Sequence, residues 1–233
     1  MEPTDVIMRG LAQVPLFAGL PAAALQDVIQ HAISCRTEKD SFIFHQGDPA
    51  EYLHVLAEGS VKLFQVTEEG QQVIVRVAGA WQMFGGVALL DEDTYPVSAQ
   101  AAEACQGLHW SSAVLRDLLQ RYPLISTNAM RWMAEHVRET QDMFRHLATE
   151  RVEQRLARIL LRLMRQLGTP REGGVLIDFP LTRQDLAEMG GTTLFTASRI
   201  LSQWEKNGVV KSGRERVTVS DPVGLAGIAE DSA

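Results

Sequence analysis

Short apolar runs separated by turn signals, a later change to helical spacing, and one stretch patterned like two crossed helices together predict an α+β chain. The expected order is an N-terminal all-β domain, a long helix and a C-terminal winged helix-turn-helix. The 233 residues, 45% hydrophobic and 22% charged, suffice for one large domain or two smaller ones. No apolar run approaches the ~18 residues of a membrane span, and Glu2 and Asp5 stand where a signal peptide would be basic. The expectation is a cytoplasmic protein without a membrane partner.

From Leu16 to about Ile33, the spacing of Leu20, Leu25, Val28 and Ile29 suggests a short leading helix, with Pro21 near its first turn. Between Ser41 and Trp110 the runs Phe42–Phe44, Leu53–Leu56, Val61–Val66 and Val73–Val77 alternate with turn signals. Those signals are Gly47-Asp48-Pro49, Glu58-Gly59, Glu68-Glu69-Gly70 and Gly79, the texture of an all-β barrel, sandwich or roll. After Ser111 the period is helical. Met130, Met133, Val137, Thr140, Phe144 and Leu147 step alternately by three and four, the seam of a coiled coil, which predicts a long helix and a homodimer along it. A helix packed on its own β domain is the alternative. The pattern restarts with Leu156, Ile159, Leu160, Leu163 and Met164 and stops at Leu167-Gly168-Thr169-Pro170, where the glycine suits a left-handed cap. The expected domains are 12–122 as the β-rich domain, 123–149 as a dimerisation helix, 150–221 as a winged helix-turn-helix and 222–233 as a tail, with a domain boundary near Ala148 to Arg151.

The net charge of -7 is unevenly spread: residues 1–149 carry -8 and residues 150–220 carry +4. A basic module on an acidic body fits a nucleic-acid contact, because phosphate neutralisation needs local positive charge. A solvated helix surface through Arg151, Arg155, Arg158 and Arg162 is the plain alternative.

The stretch Arg183 to Ile200, RQDLAEMGGTTLFTASRI, decides between them. Leu186 and Ala187 face inward and let two helices cross closely; Gly191 takes the turn; Ala197, Ile200, Leu201 and Trp204 form the buried face of the second helix. Thr182 and Asp185 have capping-box spacing, and Thr192 or Thr193 can cap the second helix. Val209 to Val219 reads as a hairpin with Ser212-Gly213 at its tip, the wing. The side chains expected at DNA are Thr182, Arg183, Gln184, Thr193, Leu194, Phe195, Thr196, Ser198, Arg199, Lys206, Lys211 and Arg214, mostly types that hold phosphates or read base edges.

With these residues in view, the chain resembles the CRP/FNR superfamily of bacterial transcription factors over roughly residues 12 to 220. The resemblance rests on LTRQDLAEMGG with TASRIL, on FHQGDPAEYLHVLAEGSVKLF in the roll, and on RLARILLRL. It implies a cyclic-nucleotide-binding-like roll, a homodimer along the long helix, an effector pocket, contact with RNA polymerase and a two-fold symmetric double-stranded DNA site. The pocket would involve Phe84, Gly85, Gly86, Val87, Tyr95, Pro96 and Val97, with Thr140 and Gln141 beside it on the long helix. Cyclic-nucleotide binders of the family carry a Glu where this chain has Gly86, and an Arg-Ser or Arg-Thr where it reads Tyr95-Pro96-Val97. The reading is therefore against cyclic AMP.

The N-terminal cysteine cluster of the iron-sulfur branch is missing from Met1 to Leu20, haem stays open as a cofactor, and no metal site is read from the sequence. All six histidines read as surface or capping residues, and Cys35 and Cys105 as small buried hydrophobes. Leu194 and Phe195 stand where the family has Arg or Val and then Glu, so the half-site should differ. No catalytic motif such as Gly-x-Ser-x-Gly or His-Glu-x-x-His is present in the sequence. The expected function is an effector-controlled DNA-binding regulator; the alternative is a ligand-binding regulatory subunit whose C-terminal domain contacts protein.

Overall fold

A computed structural model describes residues 3–90 and 94–230. Glu2 and the last three residues of the expected tail lie outside them. The chain divides into two compact units, Met1–Gln65 with Val77–Thr140, and Val66–Arg76 with Gln141–Ala233.

The first unit opens with α1 (Pro3–Leu11), a 3-10 turn (Pro15–Phe17) and α2 (Ala22–Gln30). Pro21 is the N-cap of α2, and the helix ends before Ile33, which starts a strand. The strands of the N-terminal half are β1 (Ile33–Thr37), β2 (Phe42–Phe44), β3 (Tyr52–Glu58), β4 (Val61–Val66), β5 (Gln72–Ala78), most of which the division counts with the second unit, β6 (Met83–Phe84), β7 (Ser98–Ala101) and β8 (Cys105–Ser111). They form two sheets, ordered β1-β8-β3-β6 and β2-β7-β4-β5. In the first sheet Leu53, Val55, Leu108 and Trp110 share a core with Leu16, Phe17, Leu25 and Val28, and the Trp110 indole donates to Val28 O at 2.8 Å. The alternating positions Cys35, His54 and His109 leave the same sheet on the other side, toward a cavity. Two further helices follow, α3 (Ser112–Arg121) and α4 (Pro123–Thr149), the latter passing into the second unit after Thr140. Ile125 and Ala129 on α4 are buried, whereas the seam positions Met130, Met133, Val137, Phe144 and Leu147 are exposed.

The second unit contains α5 (Val152–Leu167), β9 (Gly168–Arg171), β10 (Gly174–Ile177), α6 (Arg183–Gly190), α7 (Leu194–Lys206), β11 (Val210–Gly213), β12 (Arg216–Val219) and α8 (Pro222–Glu230). Its sheet runs β11-β12-β10-β9. Three local expectations need correction. Gly168 is extended, with φ -80° and ψ 131°, and leads straight into β9 rather than capping α5 in the left-handed region. Glycine is needed there because a Cβ would lie 2.0 Å from Met164 O. The wing turns at Arg214-Glu215, with Glu215 at φ 57°, and Ser212-Gly213 belong to β11. Residues expected as a tail form α8, which packs on α5; its Leu225 and Ala229 are buried and Arg158 donates to Ala229 O.

Candidate nucleic-acid interface and roll cavity

Local chemistry sets the two crossed helices. At the start of α6, Thr182 Oγ1 accepts from Asp185 N at 3.0 Å while Asp185 Oδ2 accepts from Thr182 N at 2.8 Å. The turn then uses Gly191 at φ 56°. Thr193 caps α7 by accepting from Thr196 N at 3.2 Å, which ties both threonines to helix initiation. On the inner face of α7, Ala197, Ile200, Leu201 and Trp204 are buried, and the Trp204 indole donates to Glu153 at 3.0 Å. Leu194, Arg199 and Lys206 are exposed, Ser198 is half-buried, and Phe195 is 78% exposed, an uncommon position for a phenylalanine. In the wing Lys211 and Arg214 are exposed.

Besides the capping threonines, two more of the expected DNA residues are engaged within the fold. Arg183 donates to Ser198 O at 3.4 Å and Ser202 Oγ at 3.2 Å and pairs with Glu205 at 3.3 Å, and Glu205 in turn accepts from Ser212 of the wing. This arginine therefore ties α6, α7 and β11 together, where the sequence reading had it free for a phosphate. Gln184 donates to Glu188 at 2.8 Å. Nothing local in the sequence signals the Arg183-Glu205-Ser212 chain, because its members meet only once the helices cross.

In the first unit a cavity of about 500 Å³ opens among β1, β2, β3 and β8, a volume suited to a small ligand. Only one of the residues expected to form the pocket, Tyr95, lines it. The Tyr95 ring stacks on Phe44 at 3.7 Å, and its hydroxyl donates to Tyr52 O at 2.7 Å. Gly86 faces Trp132: a Cβ there would lie 2.7 Å from the indole. Thr140 and Gln141 are exposed, and Thr140 Oγ1 donates to His136 O at 2.8 Å. Pro96 is exposed and its carbonyl accepts from Gln65. The remaining walls include Asp48 and Glu51, and no Lys or Arg is among the lining residues. These walls therefore offer carboxylates and no cation to an anionic group.

The cavity also holds what sequence reasoning missed. His54, expected at the surface, is buried, and burial together with the neighbouring His109 pushes its pKa down to about 3. Burial likewise lowers His109 and raises the Cys35 thiol, the latter against a backbone hydrogen bond at Gly107. Among the described residues, Cys35, His54 and His109 form a group that could hold a metal. The signal that finds them is strand register, which period-two alternation alone does not supply.

Comparison with known proteins bears on both units. The description of a cyclic nucleotide-binding domain matches residues 35–122, and that of a Crp-like helix-turn-helix domain matches residues 154–228. Over 215 residues the chain is 31% identical to the cyclic AMP receptor protein of Thermus thermophilus, covering 92% of this chain and 96% of that one. The chain belongs to the CRP/FNR superfamily of transcription regulators. As a member of that superfamily it is also 30% identical to the global nitrogen regulator of Nostoc, over 95% of this chain and 98% of the relative. Among solved structures, FixK2 of Bradyrhizobium japonicum shares the fold at a TM-score of 0.76 and 22% identity, covering 87% of this chain and 99% of that one. The Thermus thermophilus catabolite activator protein aligns at a TM-score of 0.54 and 31% identity, over 92% and 98%. This CRP/FNR protein is a DNA-binding transcription regulator, and none of its described helices is long and apolar enough to cross a membrane.

Proposed function

We propose that the protein is a cytoplasmic homodimer that places α7 of each protomer in successive major grooves of a two-fold symmetric DNA site and answers to a signal other than cyclic AMP. The observation that carries the reading is the division of α7 into a buried face and an exposed face bearing Leu194, Phe195, Arg199 and Lys206. Base edges are read by such side chains, with Arg suited to guanine and an apolar ring to the thymine methyl. The exposed stripe Met130, Met133, Val137, Phe144 and Leu147 on α4 supports a second copy as its cover. Arg199, Lys206, Lys211 and Arg214 would supply the positive charge at DNA, and RNA polymerase is the expected protein partner at a promoter.

Selection of bound sequences from a random duplex pool, followed by titration of the recovered site at several salt concentrations, tests the reading. A palindromic site with steep salt dependence is expected. Failure to enrich any DNA would instead favour a C-terminal domain that contacts protein, for which the exposed Phe195 would be the anchor.

A further inference from the structure

One face of the roll brings a thiol and two imidazoles together. Cys35 lies on β1, His109 on β8 and His54 on β3, three neighbouring antiparallel strands. His54 and His109 are directly opposed, and Cys35 is opposite Gly107, two residues along β8, so the three side chains leave the sheet on one side. Their ligand atoms all lie within 4.8 Å of one another. A tetrahedral cation with bonds of ~2.0 Å to nitrogen and ~2.3 Å to sulfur holds its ligand atoms about 3.5 Å apart, so small side-chain rotations close the set.

The surroundings favour a cation. Phe84 stacks on His54 at 5.1 Å and 11°, and Tyr52 meets His109 edge to face at 4.7 Å, which limits rotation of both rings. His109 Nδ1 is buried with no hydrogen-bond partner among the described residues, a desolvated nitrogen that a metal bond would satisfy. Asp48 and Glu51 stand at the adjoining cavity, whose lining has no Lys or Arg.

We propose that Cys35, His54 and His109 form a site for a borderline transition-metal cation of the Zn²⁺ type, its fourth position open to the roll cavity. One thiolate and two imidazoles suit zinc or a neighbouring late transition metal, whereas calcium and magnesium prefer oxygen ligands. Binding deprotonates Cys35 and releases its proton to solvent as the sulfur–metal bond forms. Three protein ligands with a vacant fourth position is an arrangement that takes water or a small ligand, unlike a closed structural zinc site.

The test uses the full chain, stripped with chelator and titrated with Co²⁺ as an optical probe and Zn²⁺ in calorimetry. One cation per chain is expected, with a thiolate-to-cobalt charge-transfer band. Cys35→Ser should abolish that band, and Cys35→Ser and His109→Gln should each weaken Zn²⁺ by more than the ~10 to 100-fold that loss of an outer partner costs. Cys105→Ser should keep both band and affinity, because the Cys105 thiol instead donates to the backbone carbonyls of Ser60 and Glu103. His54 is buried and its replacement threatens the fold, so the two less buried ligands carry the test, with circular dichroism confirming that each variant is folded. A band that survives Cys35→Ser, Zn²⁺ affinity unchanged in both variants, or no cobalt uptake by the parent would overturn the site; so would haem bound at these residues with Zn²⁺ refused.

Discussion

Arg183 and Arg199 carry the same charge on neighbouring helices and are used differently. Arg199 is exposed on the outer face of α7, whereas Arg183 is engaged by Glu205, Ser202 and a backbone carbonyl. Arg199→Ala should cost ~1 to 3 kcal/mol on the preferred site and flatten preference at one base pair, measured by fluorescence anisotropy on a set of single-substitution sites. Lys206→Ala should weaken all duplexes alike and lower the salt slope by roughly 0.9. Arg183→Ala should leave that slope unchanged and lower the melting temperature instead, by an amount matching ~0.2 to 1 kcal/mol for a partly exposed pair. Far from these, Asp27 accepts from Tyr122 at 2.8 Å and pairs with Arg121, and the Tyr122 hydroxyl first, then the Arg121 charge, holds its carboxyl below the usual range. A carboxylate with a depressed folded-state pKa adds stability above its unfolded value of 3.8, and that stability is lost as the pH falls through the lower folded value. Asp27→Asn should therefore reduce stability at neutral pH and flatten the acid limb of a melting-temperature-against-pH curve below about pH 4.

The elements differ in how much of them local sequence reveals. The helix-turn-helix is legible because its constraints are short-range: Thr182 with Asp185, Gly191 at the turn, and the periodic Ala197, Ile200, Leu201 and Trp204 all lie within one stretch. Strands β2 to β5 are legible for the same reason, as apolar runs between turns. Missing from the local signal are β1, whose ISCRT lacks a clear alternation, and the register that sets it beside β8. The Cys35-His54-His109 cluster depends on that register, and so does the difference between a buried His54 and an ordinary surface histidine. Gly168 shows a second limit: a glycine after a helix suggests a left-handed cap, yet here it is demanded by the nearness of Met164 O in an extended conformation. Its replacement by alanine should force the end of α5 or β9 to shift and cost several times the ~1 kcal/mol of an ordinary helix glycine change. Gly191→Ala should cost about 1 to 2 kcal/mol through its positive φ, with a further contact because the new Cβ would sit 3.2 Å from Leu147. Differential scanning calorimetry of the two variants checks both the order and the size.

At the scale of the whole molecule, the seam of α4 leaves five large apolar side chains exposed along one helix. Phe144 is 73% exposed and Met130 64%. Val137→Asp combined with Phe144→Asp should yield monomers in sedimentation velocity while far-ultraviolet dichroism stays that of the parent; persistent dimers would assign the interface elsewhere. Cyclic AMP, by contrast, should leave both melting temperature and DNA affinity unmoved even at millimolar concentration, whereas a ligand at 100 times its dissociation constant would add about 2.7 kcal/mol. Trp132 beside Gly86 couples that position to the long helix. A side chain at position 86 would bring its Cβ to 2.7 Å from the indole, so the ring has to move before anything larger than glycine fits. Trp132 in turn packs against the core of the roll. A change at position 86 is therefore felt on α4, a helix away from the residue that was replaced.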